Sequence, residues 1–434
     1  MDEALKKFAI QLLKQGAEVE DVAKRTNLSK GSIRALKAHI RMGTYGGSTR
    51  LSSEGFNREQ KSLLYNPKDG YFLGRAPESG EKVFWHPFSE YTANPHIMII
   101  GESGYGKSYA TQCIYLEFRK ASVGSIAIDF SKSMSRIQCE DSFLRHAAPV
   151  FIDAGTDGIP LNPLKIDSND GTGPLNIAVR IADTFAAIYR IGVQQHALLR
   201  DAVLEAYARK SITPSNTHSW HLRPPTLAAI PQILEEWSED RTNLNCRLTS
   251  KLRSHISTFF MFETFRETPR QLAWRECFEH NRCTVFQLEK LENRTKAVVT
   301  EFLLWDLLHD SSYRLDRSPR FVLLDEAHHL SFKESSPSIR IIREGRKFGL
   351  AAIFASQQPE DFPQIVYSNT ASKLIFQISD DNEKVARKVK KKCQGLGSAG
   401  ETATHISRLP KGTAFFIEGN EAATIRIASL EDRL

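Results

Sequence analysis

No apolar stretch in the chain approaches the roughly 20 residues a membrane-crossing helix needs. Runs such as Ile97–Ile100 have the length of a buried strand. The first residues, MDEALKKFAIQ, are amphipathic and carry acids, so they do not read as a secretory signal. A cytoplasmic protein with no membrane partner is the expectation. Cysteine is scarce: Cys113, Cys139, Cys246, Cys277, Cys283 and Cys393 are the only six, and none form a C-x-x-C pair. That leaves out the common zinc and dithiol redox motifs, and scattered thiols suit a reducing compartment. Internal repeats and low-complexity tracts are also missing. Acids do not dominate. Lys and Arg total 58 against 51 Asp and Glu, for a net charge of +7 and a pI near 9.0, a balance that favours a polyanionic partner. The remaining composition, 41% hydrophobic and 25% charged over 434 residues, is that of a globular protein with one large domain or two to three smaller ones.

Residues 1–45 read as a small helical unit. Leu5, Phe8, Ala9 and Leu12 recur at helical spacing, and Gly16 is a stop signal. A second helix is expected over 18–25, burying Val22 and Ala23. After a turn at Asn27-Leu28, Ser29 can cap a third helix running from Lys30 to about Ile40. Ile33, Leu36 and Ile40 would face inward on it, and Lys30, Arg34, Lys37 and Arg41 outward. Helix, tight turn, capped helix is the helix-turn-helix pattern, whose basic outer face suits the DNA major groove. A three-helix bundle that contacts protein fits the same pattern, so both readings stay open. Residues 46–70 are the linker, its start rich in Gly and Ser. From there to 434 strands and helices alternate, the pattern of an α/β domain. Residues 212–225 are polar and Pro-rich, which predicts a mobile loop. Residues 241–260 predict a helix carrying Leu244, Leu248, Leu252 and Ile256, with Arg247 and Lys251 on another face. The densest basic run is Arg387–Lys392, which suits either phosphate contact or a solvated surface.

Two strings carry chemistry. The apolar run His96–Ile100 leads directly into Gly101-Glu102-Ser103-Gly104-Tyr105-Gly106-Lys107-Ser108, a full match to G-x-x-x-x-G-K-[ST]. Glycines let the backbone curl so that several N–H groups point at phosphate oxygens. Lys107 puts a point charge at the β- and γ-phosphates of ATP, and Ser108 offers its hydroxyl to Mg²⁺. A helix over 107–120 turns the positive end of its dipole to the same place. Farther on, Arg320 precedes the apolar strand 321–324, and Asp325-Glu326 sits at its end. This is the Walker B pattern, with Asp325 on Mg²⁺ and Glu326 set to orient or deprotonate the attacking water. Residues 325–328 also spell DEAH. A DEAH-box helicase needs a second RecA-like domain afterwards, and too few residues follow His328 for one. The adjacent His328 and His329 do not converge on one metal ion.

A further stretch is more specific. Arg343-Glu344-Gly345-Arg346-Lys347-Phe348-Gly349 precedes a strand over 350–354 and then Ala355-Ser356-Gln357-Gln358-Pro359. This R-x-G-R-K-x-G, strand and A-[ST]-Q-x-P order resembles the FtsK–HerA superfamily of ring-forming DNA motors. So do Asn369–Gln377, the late Leu409-Pro410-Lys411-Gly412-Thr413-Ala414, the strand Ile126–Asp129 and the turn Leu161-Asn162-Pro163-Leu164, so that the likeness covers about residues 76–434. Gln358 stands where many relatives have Arg. The amino-terminal β-barrel of HerA proteins and the membrane helices of coupling proteins and FtsK are not evident.

The resemblance implies a RecA-like sheet with helical insertions, with Gln357 as the polar sensor of the γ-phosphate and Arg346 or Arg343 as the arginine finger. It also implies an ATP hydrolase that moves along DNA as a ring of identical subunits, expected to be a hexamer. With a single ATPase fold, the simplest donor of an arginine finger is the next subunit. Protein partners would belong to a transfer, repair or defence system. Two other functions fit these motifs: a conjugation-type assembly ATPase acting on proteins, and a DNA-binding regulator switched by nucleotide.

Overall fold

The computed structural model describes residues 19, 22–23, 29–33, 70–90, 92–167, 173–240, 242–266, 271–357, 362–378, 404–419 and 421–434. The chain divides into two compact units, Met1–Lys61 and Ser62–Leu434. In the first, Ser29 caps a helix: its Oγ accepts from the Ser32 N–H at 3.1 Å. Val22 and Ile33 are buried, and Lys30 is exposed. Ala23 is only half-buried. Arg34, Lys37 and Arg41 lie outside the described residues, as does most of the expected helix-turn-helix.

The second unit is built on one 11-stranded sheet. It begins with β1 (Tyr71–Arg75), β2 (Lys82–Trp85) and β3 (Ile97–Ile100), followed by α1 (Lys107–Lys120), β4 (Ser125–Asp129), α2 (Asp141–Ala147) and β5 (Val150–Asp153). A helical insertion comes next, comprising α3 (Gly173–Tyr189), α4 (Val193–Ala208), α5 (Ala229–Glu239), α6 (Cys246–Met261) and the short α7 (Trp274–Phe278). The chain re-enters the sheet as β6 (Cys283–Gln287), crosses it with α8 (Asn293–Tyr313), and returns as β7 (Arg320–Leu324). Then come α9 (Pro337–Glu344), β8 (Leu350–Ser356), α10 (Gln364–Ser368), β9 (Ser372–Ile375), β10 (Thr413–Glu418) and β11 (Glu421–Ile427).

Strand order is β2-β1-β11-β10-β9-β3-β8-β7-β4-β6-β5. From β9 to β5 every pair is parallel, and the other end is antiparallel. Parallel strands need cover on both faces, and β3 shows how it is met. Ile97 and Ile99 join the core on the α1 side, while Met98 and Ile100 join the core under the helical insertion. Side chains alternate across a strand, so four consecutive apolar residues serve both cores. On the α1 side the ring of Phe118 stacks on Phe321 with centroids 3.9 Å apart, and Tyr71 meets both edge-on. Burying each such ring contributes about 1.5–3 kcal/mol, which fixes α1 against the middle of the sheet.

One expectation needs correction. Leu244 is fully exposed and precedes α6, which starts at Cys246; only Leu252 and Ile256 of the expected stripe are fully buried. Asn243 and Asn245 interrupt the helix there, because the Asn243 side chain accepts from the Asn245 N–H at 2.9 Å and closes a turn. Residues 212–225 contain a hydrogen-bonded turn. Asn216 caps a 3₁₀ segment over Thr217–His221, Ser219 Oγ donates to Asn216 O at 2.6 Å, and Trp220 Nε1 donates to Thr213 O at 2.9 Å. Arg247 and Lys251 are exposed on α6. The basic run Arg387–Lys392 lies outside the described residues.

Candidate functional site

The site forms at the carboxyl ends of three adjacent strands. β8 lies between β3 and β7, with Ile100 opposite Ser356 and Leu324 opposite Phe354. The loop after β3, Gln357 after β8 and Asp325-Glu326 after β7 therefore meet in one cleft of about 200 Å³, also lined by Ser103, Gly104, Gly106, Lys107 and Ser108.

The loop 101–106 is shaped by glycines in conformations that other residues rarely adopt: φ is +143° at Gly101, +85° at Gly104 and +113° at Gly106. Gly101 is also constrained by space, because a Cβ there would sit 2.7 Å from Phe376 Cβ. The loop is held from behind. The Glu102 N–H donates to Gln377 O at 2.9 Å, and the Gly412 N–H to Tyr105 O at 3.1 Å. Thus the Asn369–Gln377 and Leu409–Ala414 strings, far apart in sequence, both brace this loop. α1 starts at Lys107 with no side-chain cap and no acid in its first turn. Its first N–H groups and positive dipole end face the cleft, the arrangement that binds phosphate.

Lys107 Nζ donates to the carbonyls of Gly101 and Glu102, both at 2.7 Å. Burial lowers its pKa to about 8 against the opposing pull of Glu326, Asp325 and Glu102. Glu326 adopts a left-handed conformation, φ 42°, which turns its side chain back over the cleft. Gln357 Nε2 donates to Glu326 Oε1 at 2.6 Å, and His328 Nδ1 lies 3.3 Å from Oε2. Burial pushes the Glu326 carboxyl up, but these bonds outweigh it and hold its pKa below the usual value. Gln357, expected to sense the γ-phosphate, is here bonded to the carboxylate next to it.

Asp325 is 7% exposed. It accepts from Ser131 Oγ at 2.5 Å and lies against Asp129, the last residue of neighbouring β4. Burial, and then the charge of Asp325, raises Asp129 to about 7. Burial also raises Asp325, although the Ser131 bond opposes it. Carboxylate and hydroxyl oxygens from Asp325, Asp129 and Ser108 are hard donors of the kind Mg²⁺ selects. Together with the open helix end, they fit a Mg–nucleotide.

Four residues of this site were not singled out from sequence. Ser131 falls in no motif, and Ser356 and His328 fall in strings that gave them no role. Asp129 does carry a local signal, an acid that ends the apolar run Ile126–Ile128. His328 Nδ1 also lies 2.9 Å from Ser356 Oγ, so the fourth letter of the DEAH string ties the β7 end to the β8 end. The two arginines are elsewhere. Arg343 pairs with exposed Glu334 through both guanidinium nitrogens. Arg346 donates to the backbone carbonyls of Thr92 and Ser89, just before β3 begins. It lies in the turn just before β8 and Gln357 just after it; the 7 residues of the strand span about 20 Å at about 3.3 Å each.

A RecA-like sheet with a phosphate loop, a paired acid strand and a glutamine between them defines a P-loop ATPase. No protein-family model matches the chain. Over 103 residues it is 30% identical to the DNA double-strand break repair helicase HerA of Sulfurisphaera tokodaii, and 31% identical to the protein so named of Sulfolobus acidocaldarius. Each match covers 21% of this chain, and the chain spans 21% of the length of these curated relatives. Among solved structures it resembles VirB4 of Thermoanaerobacter pseudethanolicus, with TM-score 0.66 and 19% identity over 88% of this chain and 100% of that one. It also resembles the plasmid coupling protein TrwB in complex with ADP and Mg²⁺, with TM-score 0.52 and 14% identity over 77% of this chain and 85% of that one. These likenesses establish that the chain shares the RecA-like fold of VirB4 and TrwB. Among the described residues no helix is long and apolar enough to cross a membrane.

Proposed function

We propose that the chain hydrolyses ATP and uses the energy to move along DNA as a ring of identical subunits, a hexamer in its simplest form. The observation that carries this reading is the separation within β8. Lys107, Glu326 and Gln357 gather at one end, while Arg346 is at the other. An arginine so placed cannot serve the site of its own chain, but it can serve that of a neighbour. Arg346 donates to backbone carbonyls, whereas Arg343 is paired with the carboxylate of Glu334. Arg346 is therefore the better finger of the two.

In this reading Lys107 leaves its loop carbonyls for the β- and γ-phosphates. Ser108 and Asp325 would hold Mg²⁺, which would supply charge neutralisation at the phosphate oxygens. Glu326 accepts a proton from the attacking water, and Gln357 and His328 hold its carboxylate in place. The net charge of +7 and the partial likeness to HerA helicases support DNA as the polymer. The unit over residues 1–45 would add DNA affinity through Lys30, Arg34, Lys37 and Arg41. The test is the ATPase rate with no DNA, single-stranded DNA and double-stranded DNA, read beside the oligomeric mass. Stimulation by either DNA in an oligomer of about six is the expected result. A rate indifferent to DNA but raised by a protein partner would replace this reading with an assembly ATPase. Negligible turnover in every condition would replace it with a nucleotide switch.

A further inference from the structure

The outer face of the helical insertion is positively charged. α6 carries Arg247, Lys251, Arg253 and His255, and no acid in its 16 residues. Its inner side packs through Phe259 against Phe185 of α3 and Phe302 of α8. Arg253 is turned toward α5, where it pairs with Glu235. Arg247 and Lys251 lie on a different face, one turn apart, about 6 Å along the helix at about 1.5 Å per residue. Both are exposed, and among the described residues neither has an ion-pair partner.

The charge continues onto two neighbouring elements. His255, one turn after Lys251, meets the Tyr189 ring edge-on, with centroids 6.4 Å apart. The Arg294 guanidinium lies 5.6 Å from the same ring, a contact that positions a cation without neutralising it. Arg190 directly follows Tyr189, the last residue of α3, and Arg294 is in the first turn of α8. Arg190, His255 and Arg294 are all exposed. The acids around them are few. Glu292 caps α8, accepting from the N–H groups of Arg294 and Thr295; Glu289 pairs with Lys132; Glu263 comes only after α6 has ended at Met261, about 15 Å beyond Lys251 at the same rise. Four guanidinium and ammonium groups therefore form one ridge. Cations spread along a ridge suit a polyanion rather than a small ion. Tyr189, at the centre, is 3% exposed, so its ring face is not offered to the stacked bases that single-strand binders hold. The phosphates of a duplex ask only for positive charge at repeated intervals.

We infer that this ridge, formed by α6 with the end of α3 and the start of α8, is a docking surface for duplex DNA, which it holds through the phosphates. Its place in the fold gives the contact a consequence. Lys296, two residues beyond Arg294, donates from Nζ to Phe130 O at 2.9 Å. The next residue, Ser131, donates to Asp325 at 2.5 Å. Two contacts thus join the start of α8 to an acid of the nucleotide cleft, and DNA seated on the ridge bears on that acid. This consequence for rate rests on the ATPase reading, but the docking surface itself does not.

The test therefore measures binding. The full-length chain, without nucleotide, is titrated with a short duplex DNA, a single strand of the same sequence and poly-glutamate, from about 50 to about 200 mM salt. Lys251→Gln is compared with Lys210→Gln, which removes an equally exposed lysine past the far end of α4. Each lost phosphate contact lowers the log–log salt slope by about one. That drop is expected for Lys251→Gln and no change for Lys210→Gln. The charge reversal Arg247→Glu with Lys251→Glu should weaken duplex binding at least tenfold at the lowest salt. Both residues are exposed, so fold and basal ATPase rate should be unchanged. The single strand and poly-glutamate should bind more weakly than the duplex. Equal losses in Lys251→Gln and Lys210→Gln, duplex binding indifferent to the charge reversal, or a single strand or poly-glutamate bound as tightly as the duplex would each overturn the inference. Absence of DNA-stimulated ATPase in the unmodified chain, with duplex binding that depends on the ridge, would instead count against the motor.

Discussion

Glu326→Gln isolates one step. The carboxylate accepts from Gln357 Nε2 at 2.6 Å and from the Gln357 N–H at 3.4 Å, with His328 Nδ1 3.3 Å away. A glutamine can keep the shortest of these through its amide oxygen. Its NH₂ then faces donors that had faced oxygen, a mismatch costing about 1 kcal/mol. The fold should survive. ATP affinity should hold or rise, because one negative charge leaves the region the triphosphate enters. Turnover should drop by about 10²–10⁴, the usual contribution of a positioned base, which is about 3–5 kcal/mol of barrier at about 1.36 kcal/mol per tenfold. Single-turnover hydrolysis, with Mg–nucleotide affinity measured separately by equilibrium titration, separates the two effects. Turnover within threefold of the unmodified chain would refute the assignment of Glu326 as base. Binding lost in step with turnover would refute the claim that it acts after binding.

Lys107→Ala should abolish hydrolysis and weaken nucleotide binding by about 1.5–3 kcal/mol, the worth of a charge-assisted bond; a melting curve that matches the unmodified chain checks that the fold is intact. Arg346→Ala should be inactive alone yet recover a minority of activity when mixed with Lys107→Ala under conditions of proven subunit exchange, whereas Arg343→Ala, whose charge Glu334 already balances, should stay within about tenfold of normal. His96 is buried, and burial lowers its pKa from 6.5 to about 4 against the opposing carbonyls of Ile342 and Ile341. Its contribution is therefore present above pH 6.5 and lost as pH falls toward 4, by about 3 kcal/mol in total. His96→Asn keeps an acceptor for the Ala352 N–H, which donates to Nδ1 at 3.0 Å. Denaturation midpoints between pH 7 and 4 should thus fall less in this variant than in the unmodified chain.

The parts of this molecule legible in sequence were those with local signals. The glycine string places its own turn, strand and helix, and α1 runs over the expected 107–120. Apolar runs announced β3, β7 and β8 because strands covered on both faces have no polar positions. Relations across the sheet were not legible. Nothing in residues 409–414 says that Gly412 braces Tyr105, because that contact depends on β10 and β9 lying beside β3. The Asp129–Asp325 pair likewise needs the order β7-β4 before two strand ends become neighbours. Nor could the arginines be ranked by spacing. The Glu334 bond to Arg343 is a loop contact across nine residues, and no periodicity predicts it. The Leu244 expectation failed for a local reason, because asparagine turn chemistry overrode a four-residue repeat.

The strand order also sets a timetable for synthesis. Ile97 pairs with Ile353 on one side and Ser372 on the other, and β1 waits for β11. At about 5–20 residues per second, the strand that leads into the glycine loop leaves the ribosome on the order of tens of seconds before its neighbours. Throughout that interval Ile97–Ile100 is a short, uncovered apolar segment followed by a loop with nothing to brace it. The nascent chain cannot assemble the nucleotide site until it has been made through Gly412, because both braces of the loop, at Gln377 and Gly412, come long after the loop itself. A chaperone that covers β3 during this wait would raise the yield of folded protein without touching the finished molecule.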